Sequence, residues 1–187
     1  MSKIEEGELV LSHEPFDVIE QGREIMTIIG MQAQEQGLTT VMEIEPEVYE
    51  NPYIYGSPLH LIRAMMNIYS NCIKYNKENG EIRTHVRLLH SDEKILTYQW
   101  TISDTGIGIS EDYLSRIFEP FTQEGTDARS VYQGTGLGMS IAKALFEQMG
   151  GSLEVFSKLG EGSTFIITLP FERAQGLKTT VIEKTER

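Results

Sequence analysis

Short stretches of the chain alternate apolar and polar residues, which is the pattern of strands with one buried face. The alternation is clearest over residues 82–89 and 95–103, two predicted strands joined by a polar tip at residues 90–93. Gly160-Glu161-Gly162 is a turn signal between two more predicted strands, residues 152–157 and 163–169. The same pattern predicts three shorter strands, at residues 9–11, 39–44 and 53–55.

Three longer stretches repeat their apolar residues every three to four positions and therefore predict helices. The first opens at Pro15-Phe16-Asp17 and ends near Gly37. In the second, Ser57 would be the N-cap before Pro58 at the first helical position, and the helix runs to about Tyr75. The third covers about residues 139–148.

Two or three long helices against a mostly antiparallel sheet predict a two-layer α+β fold. Residues 1–8 are polar and acidic, and residues 172–187 carry many charges with few large apolar side chains. Both ends are therefore predicted to be linkers, and a short strand around residues 179–182 is the alternative for the second. The predicted domain spans residues 9–171.

The charge of the chain limits the partners that it can bind. With 28 acidic against 16 basic residues in 187, the formal net charge is -12. A chain this acidic repels nucleic-acid phosphates, so nucleic acid is not an expected partner, and any phosphate must be bound by a local device. No apolar run approaches the roughly 20 residues of a membrane helix, and the start is too polar for a signal peptide. We expect a cytoplasmic chain without membrane contact.

The single cysteine, Cys72, cannot form a disulfide within the chain. The local sequence offers it no histidine partner, as a catalytic thiol would need. Cys72 is therefore predicted to be a small buried hydrophobe.

Four polar residues share one face of the second predicted helix. Asn67, Asn71, Lys74 and Tyr75 are spaced so that they stack along it, with an apolar arc opposite. A solvated face is the simplest interpretation, but asparagine is a mediocre helix former and two stand mid-helix one turn apart. An amide oxygen suits Mg²⁺, and a lysine one turn further suits phosphate.

Two glycine-rich segments follow. Asp104-Thr105-Gly106-Ile107-Gly108-Ile109 ends a predicted strand, and its glycines would let a flat ligand approach the backbone while Asp104 accepts hydrogen bonds. The segment 134–138, Gly-Thr-Gly-Leu-Gly, leads directly into a helix, where free N–H groups form an anion site. An ordinary turn and a flexible loop are the alternatives. Neither segment fits the dinucleotide or P-loop pattern.

Phe118-Glu119-Pro120-Phe121 lies between these segments and precedes a polar stretch without periodicity, residues 123–133. Two aromatic residues around a proline predict an anchor for a loop. The polar stretch is predicted to be a mobile lid that is not ordered without nucleotide.

The order of these four motifs resembles the N, G1, F and G2 boxes of the catalytic ATP-binding domain of sensor histidine kinases. The resemblance covers roughly residues 9–171. It implies the ATP-binding α/β sandwich of that superfamily, known as the Bergerat fold, with a mixed sheet of about five strands under three helices. It also implies ATP and Mg²⁺ as ligands.

The resemblance further implies roles for single residues. Asn71 would hold Mg²⁺, Asn67 would support that site, and Lys74 would contact phosphate. Tyr75 and Asp104 would bind adenine. Gly106, Gly108 and Ile109 would shape the base pocket, Phe118 and Phe121 would hinge the lid, and Arg129 within the lid would reach the triphosphate. The phosphates would meet the residues of the last motif: Gly134, Thr135, Gly136, Leu137 and Gly138.

The implied reaction is transfer of the γ-phosphoryl group of ATP to a histidine. Related ATPases of this fold usually carry a glutamate where this chain has Asn67, which cannot act as a base, so hydrolysis is disfavoured. None of the four histidines fits the acceptor pattern: His13 is predicted to lie in a solvated loop, and His60, His85 and His90 at the surface. The acceptor would then lie on a helical domain outside this chain.

Dimerisation belongs mainly to that helical domain, so we expect a monomer here, serving a response regulator or receiver domain indirectly. Three alternatives stay open. They are an ATPase or molecular clamp of the same fold, a nucleotide sensor without kinase activity, and an interaction module that binds no nucleotide.

Overall fold

Residues 10–123 and 135–175 are described by the computed structural model, and over these ranges the chain forms one seven-stranded sheet with helices on one face. Three helices are long and two are single short turns. In chain order the elements are β1 (Glu14–Asp17), α1 (Val18–Glu35), β2 (Thr39–Ile44), α2 (Pro46–Glu50), β3 (Tyr53–Gly56), α3 (Pro58–Lys74), β4 (Glu81–Ser91), β5 (Ile95–Asp104), α4 (Glu111–Leu114), α5 (Gly138–Gln148), β6 (Ser152–Ser157) and β7 (Ser163–Arg173).

The strand order is β1-β3-β7-β5-β4-β2, and β6 pairs with the first half of β7. Only β2 and β4 are parallel among the described strands, so the predicted α+β fold with a mixed, mostly antiparallel sheet is confirmed. The figure of about five strands is too low. The short strands β1 and β3 extend the sheet at the last residues of β7: Ile54 and Tyr55 of β3 pair with Arg173 and Glu172, and β1 pairs with β3.

The first strand does not lie at residues 9–11, as the alternation predicted. Val10 and Leu11 are outside any strand, and β1 instead pairs with β3 over Glu14–Asp17. The first helix consequently begins at Val18 rather than at Pro15. Asp17 fixes this boundary, because its side chain accepts hydrogen bonds from the N–H groups of Ile19 and Glu20.

The hydrophobic core lies between the sheet and the three long helices. Alternate residues of β5 and β7 are buried, as a strand with one covered face requires. Helix α3 contacts both α1 and α5, so its faces are shared between two neighbours. Cys72, in α3, is fully buried, as predicted.

The N-terminus of α3 departs from the predicted cap. Ser57 occupies the N-cap position before Pro58, but its hydroxyl makes no capping bond to the helix backbone. It bonds instead to the His60 ring, 2.6 Å away, and accepts from the Ser12 N–H. This places α3 beside the segment that enters the fold.

Strand β7 continues two residues past Phe171, the predicted end of the domain. Arg173 is held there by hydrogen bonds to Asn51, Ser91 and the Asp92 carbonyl. The predicted domain limits stay a prediction, and the candidate strand at residues 179–182 lies outside the described residues. Among the described helices, none is both long and apolar enough to cross a membrane.

Candidate functional site

The polar face of α3 lines a cavity of about 250 Å³. Asn67, Asn71, Lys74 and Tyr75 all border it, so the four predicted residues lie together. Ser70 joins them, because it lies three residues after Asn67 and four before Lys74 and so shares their side of the helix. The polar face therefore meets a cavity rather than open solvent.

Asp104, the last residue of β5, lies at one end of this cavity. Its Oδ1 accepts the N–H of Gly106 at 2.8 Å and the N–H of Ser163 at 3.2 Å. Burial nevertheless raises the pKa of the Asp104 carboxyl above its ordinary value of 3.8, and the hydrogen bonds offset this only in part. A carboxylate with a raised pKa gains from any ligand that donates a hydrogen bond to it.

The Cys72 thiol, buried in α3, adjoins the Asp104 carboxyl, and each group affects the pKa of the other. Burial raises the pKa of the Cys72 thiol well above its ordinary value, and the negative charge of Asp104 raises it further. The thiol therefore stays protonated, and its closeness to the Asp104 carboxylate favours the ionised form of that group. The sequence predicted the burial of Cys72 but not this contact.

The segment after Asp104 packs so closely that only glycine fits at two positions. A Cβ at Gly106 would lie 2.3 Å from the Tyr75 carbonyl oxygen, and one at Gly108 would lie 2.1 Å from the Lys158 carbonyl oxygen. Gly108 also has φ +72°, in the left-handed region. Gly108 and Ile109 line the cavity, whereas Gly106 holds the segment against the end of α3.

At the other end of the α3 polar face, beside Asn67 and about 12 Å from Tyr75, the last glycine motif borders the cavity. Thr135, Gly136 and Gly138 line it, and Leu137 is the N-cap residue of α5 without lining the cavity. A Cβ at Gly138 would lie 3.8 Å from the Asn67 side-chain oxygen, so the polar face of α3 adjoins the start of α5. The free N–H groups of a helix start attract anions.

The two phenylalanines of the Phe-Glu-Pro-Phe motif do not line the cavity. Phe118 is partly buried, and the Lys143 ammonium lies 4.6 Å from its ring centroid. Phe121 is 77% exposed and has φ +63°, which is unusual for a residue with a side chain. Its N–H donates to the Gly136 carbonyl at 3.0 Å.

Three predictions concern residues that the structure does not describe. Arg129 and Gly134 lie outside the described residues, and so does the proposed lid except for Gln123. Gln123 lines the cavity. The roles of Arg129, Gly134 and the lid stay predictions.

The cavity has few charged residues along its described lining, and they lie on different elements, α3 and β5. Among its described lining residues, Lys74 is the one cation and Asp104 the one carboxylate. No described carboxylate forms an ion pair with Lys74, whose ammonium lies 5.1 Å from the Tyr75 ring centroid. A cation of this kind in an acidic protein is available to an anionic ligand.

A magnesium ion would depend on a small donor set here. No group of three or more His, Cys, Asp or Glu side chains among the described residues could hold a metal. The Asn71 amide oxygen is a suitable hard donor, and phosphate oxygens would complete the ligands. The residues fit Mg²⁺ that arrives with a nucleotide and do not fit a metal bound by protein alone.

Sequence reasoning missed several residues of the cavity. Ser70 could have been found from the helical spacing, because it lies three residues after Asn67 and four before Lys74. The others come from α4, the loop after it, α5 and β7, and carry no local signal. They are Tyr113, Ile117, Thr122, Gln123, Met139, Ser163 and Phe165.

An acceptor at one end, an anion site at the other and an amide face between them define an ATP-binding α+β domain. Residues 56–173 match the family described as "Histidine kinase-, DNA gyrase B-, and HSP90-like ATPase". The chain belongs to this family. The resemblance to the catalytic ATP-binding domain of sensor histidine kinases is thereby confirmed.

Named relatives agree with this assignment. The chain is 35% identical over 172 residues to the autoinducer 2 sensor kinase/phosphatase LuxQ of Vibrio parahaemolyticus, covering 90% of this chain and 20% of LuxQ. It is 36% identical over 176 residues to the sensor protein GacS of Pseudomonas syringae, covering 93% of this chain and 19% of GacS. The chain thus spans about a fifth of these relatives.

A solved structure extends the likeness to three dimensions. Full-length ShkA in complex with AMPPNP superposes with a TM-score of 0.73 at 28% identity, covering 90% of this chain and 33% of ShkA. The shared part therefore includes nearly all the described elements.

Proposed function

We propose that this chain binds Mg²⁺–ATP and transfers the γ-phosphoryl group to a histidine on a helical acceptor domain that lies outside the given residues. The observation that carries the proposal is one cavity with Asp104 at one end and the start of α5 at the other. An adenine amino group fits the first end, because the carboxylate accepts. A triphosphate fits the second, because helix N–H groups and Lys74 attract it.

The amide face of α3 joins the two ends. Asn71 would ligate Mg²⁺ through its side-chain oxygen, and Asn67 would support the phosphates beside Gly138. Tyr75 would border the adenine. When bound, Mg²⁺ neutralises charge that develops on the transferring group.

The acceptor nitrogen would form a bond to the γ-phosphorus while the bond between that phosphorus and the β,γ-bridging oxygen breaks. ADP would leave with the bridging oxygen. A neutral imidazole attacks through a free lone pair and needs no base. The lining residues described support this over hydrolysis: their one carboxylate, Asp104, is at the base end, and Asn67 cannot take a proton from water.

Partners follow from this chemistry. The direct partner would be the phosphoacceptor helical domain, and a response regulator or receiver domain would take the phosphoryl group later. A monomeric state in isolation and a cytoplasmic location belong to the same proposal.

The test is labelling with γ-³²P-ATP of a chain extended to include its acceptor helices. We expect a label that is lost in acid and kept in alkali, as for a phosphoimidazole, and that disappears in Asn71→Ala and in a variant without the acceptor histidine. Steady release of phosphate by the present chain alone, without any labelled protein, would contradict transfer and favour the ATPase alternative.

A further inference from the structure

Helix α4 places one aromatic residue at the wall of the cavity. The Ser110 hydroxyl accepts the N–H of Tyr113 at 3.3 Å and so caps the helix. Tyr113 is partly buried, packs against the core and lines the cavity together with Ile109 and Ile117. Ile109 belongs to the glycine segment that follows Asp104, so Tyr113 shares the cavity wall with that segment.

The hydroxyl of Tyr113 reaches beyond the wall. It donates to the main-chain carbonyl of Thr122 at 3.2 Å. The Thr122 hydroxyl in turn donates to the carbonyls of Glu119 at 2.6 Å and Arg116 at 3.1 Å. Thr122 is therefore fixed through both its backbone and its side chain.

The same carbonyl also touches the glycine segment before α5. A Cβ at Gly136 would lie 2.7 Å from the Thr122 carbonyl oxygen, and Gly136 has φ +70°. The neighbouring Phe121 N–H bonds to the Gly136 carbonyl at 3.0 Å. One peptide of the chain thus contacts Tyr113 on one side and Gly136 on the other.

The backbone at this point is held against its own preference. Phe121 keeps φ +63° while its ring is 77% exposed, so burial of the ring does not explain the conformation. Such a conformation is disfavoured for a residue with a side chain and persists only where neighbouring contacts impose it. The contacts beside it are the hydrogen bond from the Phe121 N–H to Gly136 and the bond from Tyr113 to the next residue, Thr122.

We propose that Tyr113 is a positioning residue that couples the base end of the cavity to the glycine segment at its phosphate end, through the Thr122 carbonyl. This rests on the proposed function, which assigns the two ends. When a base settles against the Tyr113 ring, the hydroxyl holds Thr122, and Thr122 holds Gly136 in the position that meets phosphate.

The test compares two substitutions that each remove a hydroxyl bonded to a backbone carbonyl. Tyr113→Phe keeps the ring at the cavity. Tyr98→Phe is the matched control, because the Tyr98 hydroxyl donates to the Asn51 carbonyl and Tyr98 does not line the cavity. Adenosine binding is measured by ligand-detected NMR, and AMPPNP binding with Mg²⁺ by calorimetry.

We expect Tyr113→Phe to weaken AMPPNP about three- to tenfold, as the loss of one hydrogen bond implies, while adenosine affinity changes less than twofold. Tyr98→Phe should leave both affinities within twofold, even if its thermal midpoint falls. Equal losses for adenosine and AMPPNP in Tyr113→Phe, or no loss for either, would overturn the coupling.

Two further readouts separate the coupling from folding and from the proposed function. In the wild type, AMPPNP should slow hydrogen exchange of the Phe121 amide, and in Tyr113→Phe this added protection should be lost at an unchanged thermal midpoint. Unchanged protection would overturn the coupling. Failure of the wild type to bind either ligand would instead overturn the proposed function itself.

Discussion

Asp104 meets two opposing demands. Its burial disfavours the charged form, while the N–H groups of Gly106 and Ser163 and the Cys72 thiol favour it. The balance leaves the pKa of the carboxyl raised. Between the ordinary pKa of 3.8 and the raised value, the folded protein binds more protons than the unfolded one, so Asp104 makes stability fall as pH rises through that window.

Ligand binding in the proposed site would have the opposite dependence on pH, because an adenine amino group would donate to the ionised Asp104 carboxylate. We expect adenosine affinity to fall as pH is lowered through the raised pKa of Asp104, and to reach a plateau above it. Adenosine is the right probe, since it carries no phosphate that titrates. Asp104→Asn should bind adenosine roughly tenfold or more weakly, without this pH dependence and at an undiminished thermal midpoint.

A pH profile of Asp104→Asn that matches the wild type would show that another group controls binding.

Individual residues of the site differ in how far the sequence predicts them. Asn67 to Tyr75 follow from helical spacing, because one helix places them. Tyr113, Ser163 and Phe165 do not, because only the packing of α4 and β7 brings them to the cavity.

Two loops act together to hold the end of β5. The Gly160 N–H donates to the Ile107 carbonyl at 2.7 Å, and Gly108 packs against Lys158. A Cβ at Gly162 would lie 2.1 Å from the Asp104 carbonyl oxygen. The turn between β6 and β7 therefore fixes the backbone that presents Asp104.

Gly108→Ala tests this contact, and Gly37→Ala is its matched control. The two glycines have φ +72° and +71°, but nothing lies within 4 Å of a Cβ at Gly37. Gly37→Ala should lower the free energy of unfolding by about 1–2 kcal/mol from backbone strain alone. Gly108→Ala should lower it by about 3 kcal/mol or more, because the Lys158 carbonyl must also move.

Urea denaturation measures both, and adenosine binding by the folded Gly108→Ala fraction should weaken. Equal losses of stability in the two variants would show that the loop contact does not matter.

The strands and helices themselves were largely predictable from periodicity. The strand predicted at residues 9–11 was wrong because the chain finds its partner strand, β3, only over Glu14–Asp17, and alternation alone does not show where a strand finds a partner.

At the scale of the whole molecule, the proposed ligand is an anion, and the chain itself has a formal net charge of -12. Long-range repulsion therefore opposes binding, and in the proposed site the affinity would come from Lys74, the start of α5 and Mg²⁺. The order of four motifs along the sequence indicated the family before the fold was known. The sequence did not predict the contacts of the Thr122 carbonyl with Tyr113 and Gly136, since these residues are separated along the chain and meet only in the folded protein.

Calorimetric titration of this chain with AMPPNP, with and without Mg²⁺, addresses the nucleotide site directly. We expect the wild type to bind, Asp104→Ala to lose binding, and the increment from Mg²⁺ to vanish in Asn71→Ala while binding without Mg²⁺ remains. Absence of binding by the wild type under every condition, or an unchanged Mg²⁺ increment in Asn71→Ala, would contradict the site as we have assigned it.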